Sequence, residues 1–272
     1  MITRSRISLT TGLILVLLCL IGALSLTFSS LTTHGASALS KLLMIQGLFS
    51  AILRGLVIAS LFYSLLVLLS NVILNKVDLD PFAPRSLREI ISPALMYGVL
   101  LGLAMPLLER FLSGYLGMPS PAFKARLTRE LALLGWPQQL MVSLFDVFNK
   151  EVHYRLFTLP AVLLILNKLF RPIHLQGHFT ILLSIFITAL ISGIVSLGTS
   201  DNIFGPLTVL MKTHILLLAT IPSMLFGWLF CKKGFWTASL AHFITFIIIN
   251  SSFFITTPPL LIAVSNPLVG TP

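Results

Sequence analysis

The chain has 272 residues, 56% of them apolar and only 10% charged, with a mean hydropathy of +1.00 and 20 phenylalanines. A soluble domain carries about 25% charged residues, so polar groups cannot cover a water-facing surface and a soluble fold is excluded. The net charge of +10 does not indicate nucleic acid as a partner, because the basic residues fall between apolar runs, where anionic headgroups and the positive-inside rule place them.

The expected fold is an all-α polytopic membrane protein with about seven transmembrane helices, at roughly 20 residues per crossing. Arg4 and Arg6 precede the first apolar run, residues 7–28. It reads as a retained span with its N-terminus inside, a cleaved signal peptide being the other reading. Residues 42–74 form a second run, interrupted by Arg54, a residue for an interface or for pairing inside the bundle. A polar loop follows at Asn75–Pro81. Arg85, Arg88 and Glu89 have the spacing of one face of a short interfacial helix. The third span is expected at 93–112, loosened by Pro106 and its glycines, with Glu109 and Arg110 near its exit. Residues 119–149 read as one or two amphipathic interfacial or re-entrant helices rather than a clean span.

A polar strip, Glu151-Val152-His153-Tyr154-Arg155, then opens the fourth span, ending near Asn167. Glu151 and Arg155 stand four apart and are expected to pair on one helix face. Ionisable groups at membrane depth are functional-site hypotheses by default, because charge there is costly. Their bland reading is an ion pair closing a helix end. His174 and His178 are also four apart. They fit a metal clip less well than ordinary headgroup-facing histidines. The fifth span, 179–197, holds small residues at 190–196 that allow close helix approach, and 198–206 reads as a turn. The sixth, 207–230, contains Pro222, which would kink it and free carbonyls. After the basic turn Cys231-Lys232-Lys233-Gly234, the seventh span, 235–255, carries His242, with Asn250 two turns further near the same face. Cys19 and Cys231 lie in or beside apolar segments and read as packed thiols, not as a disulfide or metal pair.

The arrangement resembles the CPBP family of intramembrane proteases, which contains CAAX prenyl endopeptidases and bacteriocin-processing or self-immunity (Abi-like) proteins. Its pattern is Glu-Glu-x-x-aromatic-Arg on one core helix, Phe-x-x-x-His on the next, and a later Gly, hairpin, x-x-Trp and His-x-x-x-Asn segment. Lys150-Glu151-Val152-His153-Tyr154-Arg155 takes the first place, and Phe226-Gly227-Trp228-Leu229-Phe230 through Phe235-Trp236 to His242 the last, a likeness over about residues 140–255. The departures are Lys150 for the first glutamate, Ser196 at the histidine position and Phe246 at the asparagine position. The resemblance implies peptide-bond cleavage near the membrane surface by a diverged enzyme, with Glu151 as base, Arg155 as orienter, and His242 and Asn250 as oxyanion donors.

Two further readings stand beside it: a catalytically inactive scaffold or immunity protein on the same fold, and a small-molecule transporter, which the absence of an internal repeat disfavours. A metal is compatible with the resemblance, but the chain has no His-Glu-x-x-His ligand motif, and no Gly-x-Ser-x-Gly elbow. The expected organisation is N-terminal transmembrane helices over 1–112, a linker over 113–149, the CPBP-like core over 150–257 and a tail over 258–272. Expected partners are membrane lipids and a peptide or membrane-protein substrate, in the bacterial cytoplasmic (inner) membrane.

Overall fold

The computed structural model describes residues 7–33, 46–77, 79–115, 136–171, 177–204 and 207–256, with side chains over 7–21, 55–77, 79–112, 143–171, 177–200 and 207–249. The described residues are helical apart from turns, with no strand among them. In chain order the helices are α1 (Leu9–Thr33), α2 (Gln46–Leu74), α3 (Leu87–Tyr115), α4 (Trp136–Lys150), a π-helical stretch (Glu151–Thr158), α5 (Leu159–Phe170), α6 (His178–Phe204), α7 (Val209–Lys233) and α8 (Phe235–Thr256).

Five segments are long and apolar enough to cross a bilayer: Gly55–Leu74, Leu87–Leu112, Ser143–Phe170, His178–Ser200 and Val209–Lys233. Leu9–Ile21 in α1 and Phe235–Ile249 in α8 are also apolar. Leu61, Leu65 and Leu68 on α2 and Leu100, Leu103 and Leu107 on α3 are each more than half exposed. Such continuous apolar faces suit acyl chains, not water. The protein is therefore an all-α, multi-pass integral membrane protein that contacts lipid. Five of the seven expected crossings are thus long and apolar enough to span among the described residues.

Lipid tails are as apolar as leucine, so helices in a bilayer associate through close packing and interhelical hydrogen bonds. One close approach is between α3 and α8. Ala94, Gly98 and Gly102 recur every four residues along α3, and Ala94 is fully buried. A methyl group at Gly98 would stand 2.8 Å from Ile244 Cβ and 2.9 Å from the Ala241 carbonyl, and one at Gly102 only 2.7 Å from Ile248 Cβ. Thr245 Oγ1 donates to the Gly98 carbonyl at 3.1 Å and to the Ala241 carbonyl at 2.9 Å, tying the two backbones together. On α6, Gly193 lies against Thr220 and Leu216 of α7, from the small-residue stretch expected to do so.

One end of the bundle gathers several element ends. The Ile7 amide donates to Asn71 Oδ1 at 3.0 Å, bringing the start of α1 to the end of α2. The Phe235 amide donates to the Pro81 carbonyl at 2.9 Å, docking the α7–α8 turn on the loop before α3. Gly234 makes that turn with φ +84°, and a side chain there would collide with Arg85 and the Pro81 carbonyl.

Three expected boundaries need correction. Arg88 and Glu89 are not a separate interfacial helix but the first turn of α3. Ser86 caps that turn: its amide donates to Glu89 Oε2 at 3.0 Å, and its hydroxyl accepts from the Glu89 amide at 3.4 Å, a reciprocal capping box. The polar strip does not open a span. Helix runs unbroken from Trp136 to Phe170, so the boundary expected at residue 149 falls inside a continuous element and the strip sits in its middle. The linker read as interfacial at 136–149 is part of that helix because Phe145 and Val147 are buried, while residues 116–135 lie outside the described residues. The turn expected at 198–206 begins later, since α6 continues through Gly198 to Phe204.

Candidate functional site

The site begins with a local irregularity. From Glu151 to Thr158 the backbone follows the wider π pattern: the Leu159 amide bonds the Tyr154 carbonyl, and Thr158 Oγ1 donates to the His153 carbonyl at 2.7 Å, both five residues back. Pro160 accounts for the change. It has no N–H for the carbonyl four residues earlier, and its ring crowds that carbonyl. A widened turn relieves the crowding, and such turns recur at functional sites.

This stretch packs into the centre of the bundle, where Glu151, Val152 and Leu156 are fully buried. His242 Nδ1 stands 2.8 Å from Glu151 Oε1, across 91 residues of sequence. The same carboxylate oxygen lies 3.6 Å from Arg155 Nε. A terminal guanidinium nitrogen of Arg155 (Nη2) reaches α7, donating to Ser223 Oγ at 2.9 Å and to the Ser223 carbonyl at 3.2 Å. Phe226 lies flat on the imidazole, ring centroids 4.4 Å apart and 20° between planes. It also stands 5.9 Å from the Arg155 guanidinium. One anion, one cation and one imidazole thus converge from the π stretch and α8, roofed by α7. Glu151 Oε2 and Arg155 Nη1 are buried without a hydrogen-bond partner among the described residues. These are one free acceptor and one free donor, side by side in an apolar setting.

His242 lies seven residues into α8, about 10 Å along the axis from its start at the end carrying Lys232 and Lys233. Glu151 and Arg155 lie within the apolar segment Ser143–Phe170. The structure thus joins three of the four expected site residues. The fourth, Asn250, is in α8 two turns beyond His242, but its side chain lies outside those described.

The neighbours of the strip point elsewhere. Lys150 pairs with Asp146 at 2.5 Å, one turn back on its own helix. His153 Nδ1 lies 2.8 Å from the Asn149 carbonyl, and its ring packs on Phe62 and Tyr63 of α2. Tyr63 in turn donates to Asn149 Oδ1 at 2.6 Å. Ser196 donates to the Ser192 carbonyl within α6 at 2.9 Å. His178 is exposed at the start of α6, and His174 lies outside the described residues. Among the described residues no three His, Cys, Asp or Glu side chains gather as metal ligands would.

Sequence reasoning missed Ser223 and Phe226 as site residues. The available signals were Pro222, which removes a backbone donor from α7 beside Ser223, and the placement of Phe226 eight residues before the Gly234 turn, with His242 eight after it. Two helices meeting at a tight turn bring such positions level.

The fold and the buried ionic cluster together define a class: a polytopic α-helical membrane protein with a charged centre at membrane depth. Comparison with protein-family models, with curated proteins and with solved structures gives no match.

Proposed function

We propose that the chain is a diverged intramembrane endopeptidase of the CPBP type, hydrolysing a peptide bond near the membrane surface. The observation that carries this reading is the 2.8 Å contact between His242 Nδ1 and Glu151 Oε1, beside an unpartnered carboxylate oxygen and an unpartnered guanidinium nitrogen. Hydrolysis needs a base for water and donors for the developing oxyanion.

The geometry favours a division of roles different from the one the family likeness suggests. One carboxylate oxygen faces both the guanidinium and the imidazole, and a neighbouring cation makes a carboxylate a weaker base. What it does well is fix the imidazole. With Nδ1–H donating to Glu151, the Nε2 lone pair of His242 is left to take a proton from water, the arrangement of a carboxylate-oriented histidine. Arg155 Nη1 is then the donor toward the oxyanion. On this reading His242 and Arg155 touch the reacting atoms, and Glu151 positions both. We also place the end bearing Lys76, Arg85, Arg88, Lys232 and Lys233 on the cytoplasmic side of the membrane, as the positive-inside rule asks, with α1 entering from there and seven crossings in all.

The test is a comparison of peptide N-termini in membranes from cells producing equal amounts of folded wild type, His242→Gln and Arg155→Lys proteins. The expected outcome is a set of new termini near span boundaries that both variants lose. Identical termini in all three would refute the enzyme reading. They would favour the second reading, a non-catalytic scaffold, which has its own support in the complete burial of Glu151 and in Lys150 being bound to Asp146.

A further inference from the structure

A second polar feature lies at the basic end of the bundle and belongs to no part of the buried cluster. The loop before α3 and the turn between α7 and α8 enclose an open cleft of about 700 Å³ lined by Arg85, Arg88, Lys232 and Lys233. One acidic residue, Glu89, borders it, and its carboxylate is already held by the Ser86 amide in the α3 cap. None of the four cations has a carboxylate partner among the described residues. Arg85 is half-buried with its guanidinium against Gly234, while Arg88, Lys232 and Lys233 are exposed.

A shallow apolar face of α3 shares Arg88, Ser92 and Met96 with the cleft and continues along Ile91, Leu95 and Val99. Leu95 and Met96 are 53% and 56% exposed. On an integral membrane helix, an exposed apolar face that leads out of a cationic cleft matches one kind of molecule, with an anion at one end and a hydrocarbon chain at the other. Basic pockets beside spanning helices take lipid phosphates in this way.

We propose that this cleft with its adjoining face is a specific binding site for one anionic phospholipid, its phosphate held by Arg88, Lys232, Lys233 and Arg85, and an acyl chain lying along Ile91, Leu95 and Val99. The proposal does not depend on the peptidase reading. Charge complementarity selects the occupant: a cluster of four cations facing one engaged carboxylate attracts a net anion, and the apolar continuation discriminates against a soluble one.

The experiment is native mass spectrometry of the full chain released from nanodiscs, titrated with dioleoylphosphatidylglycerol, dioleoylphosphatidylcholine and inorganic phosphate. We expect one phosphatidylglycerol to be retained, at least tenfold more tightly than phosphatidylcholine, with no retention of phosphate alone. Arg88→Gln/Lys233→Gln, two exposed positions, should weaken it roughly thirtyfold, at about fivefold per cation. Lys168→Gln/Arg171→Gln removes the same charge elsewhere on the surface and should leave binding unchanged. Equal loss in this control would reduce the effect to general surface charge and overturn the proposal. Equal retention of phosphatidylcholine, or tight retention of phosphate alone, would overturn it too.

Discussion

The buried cluster makes a quantitative demand on stability, and Glu151→Gln tests it. The substitution keeps the volume and removes the charge, leaving the Arg155 guanidinium, only 2% exposed, facing a neutral amide. At 3.6 Å and an effective dielectric near 20, the attraction lost is about 5 kcal/mol. Desolvation of the two ions offsets much of this in the wild type, but it remains in full for the stranded cation, so breaking a buried pair costs about 3–5 kcal/mol. Arg155→Met should cost a similar amount by stranding Glu151. The double variant removes both ions and should be less destabilised than the sum of the single changes by about 2–3 kcal/mol, at the upper end of measured couplings. Unfolding in mixed micelles by titration with dodecyl sulfate, followed through the three tryptophans, gives all four free energies. If Glu151→Gln unfolds within about 1 kcal/mol of wild type, or if the two changes add, the cluster is not an electrostatic unit and the reasoning fails.

Three smaller perturbations address the parts that hold the cluster in place. Gly98→Val should lower stability by several kcal/mol and displace α8, because its Cβ begins 2.8 Å from Ile244 and overpacking a tight helix contact costs roughly 1–3 kcal/mol or more; the same unfolding titration reads it, and unchanged stability would deny the close approach. Tyr63→Phe removes the 2.6 Å bond to Asn149 and should cost about 1 kcal/mol, with no effect on the coupling between Glu151 and Arg155. Ser223→Ala takes one of two acceptors from Arg155. It should cost about 1.5–3 kcal/mol as a hydrogen bond to a charged group, a loss that Ser223→Thr should restore.

Composition alone identifies a helical membrane protein, because a chain this poor in charge has no other way to satisfy its surface. The contact between Glu151 and His242 is legible for a related reason. An ionisable group at membrane depth needs a partner inside the bundle, and few complementary groups are available in this sequence. The hidden features are those that depend on backbone geometry. Gly98 and Gly102 are in the sequence, yet beside Pro106 they read as a loosened helix rather than as a close contact with α8. The span boundaries near 93 and 149 shifted because hydropathy weighs Arg88, Glu89, Asp146 and Lys150 as loop residues. A helix accommodates the first pair in its capped first turn and the second as an ion pair across one turn. The π stretch follows from Pro160, but its signal lies outside the polar strip that it reshapes.

Lys150 is the residue that most sharply separates this chain from the pattern it resembles, and its effect is one of charge balance. A second carboxylate at that position would put two anions beside a single arginine, and one of the two would have to be protonated or bind a cation. Lysine avoids that arrangement. Its ammonium pairs with Asp146, both about one-third exposed, outside the centre where Glu151 and Arg155 balance one another. A balanced centre is the more stable one. The Glu151 oxygen that faces both His242 and Arg155 is engaged, while Oε2 has no hydrogen-bond partner among the described residues. On the proposed reading base catalysis passes through His242, and the imidazolium formed there is stabilised by the Glu151 carboxylate oxygen 2.8 Å from Nδ1.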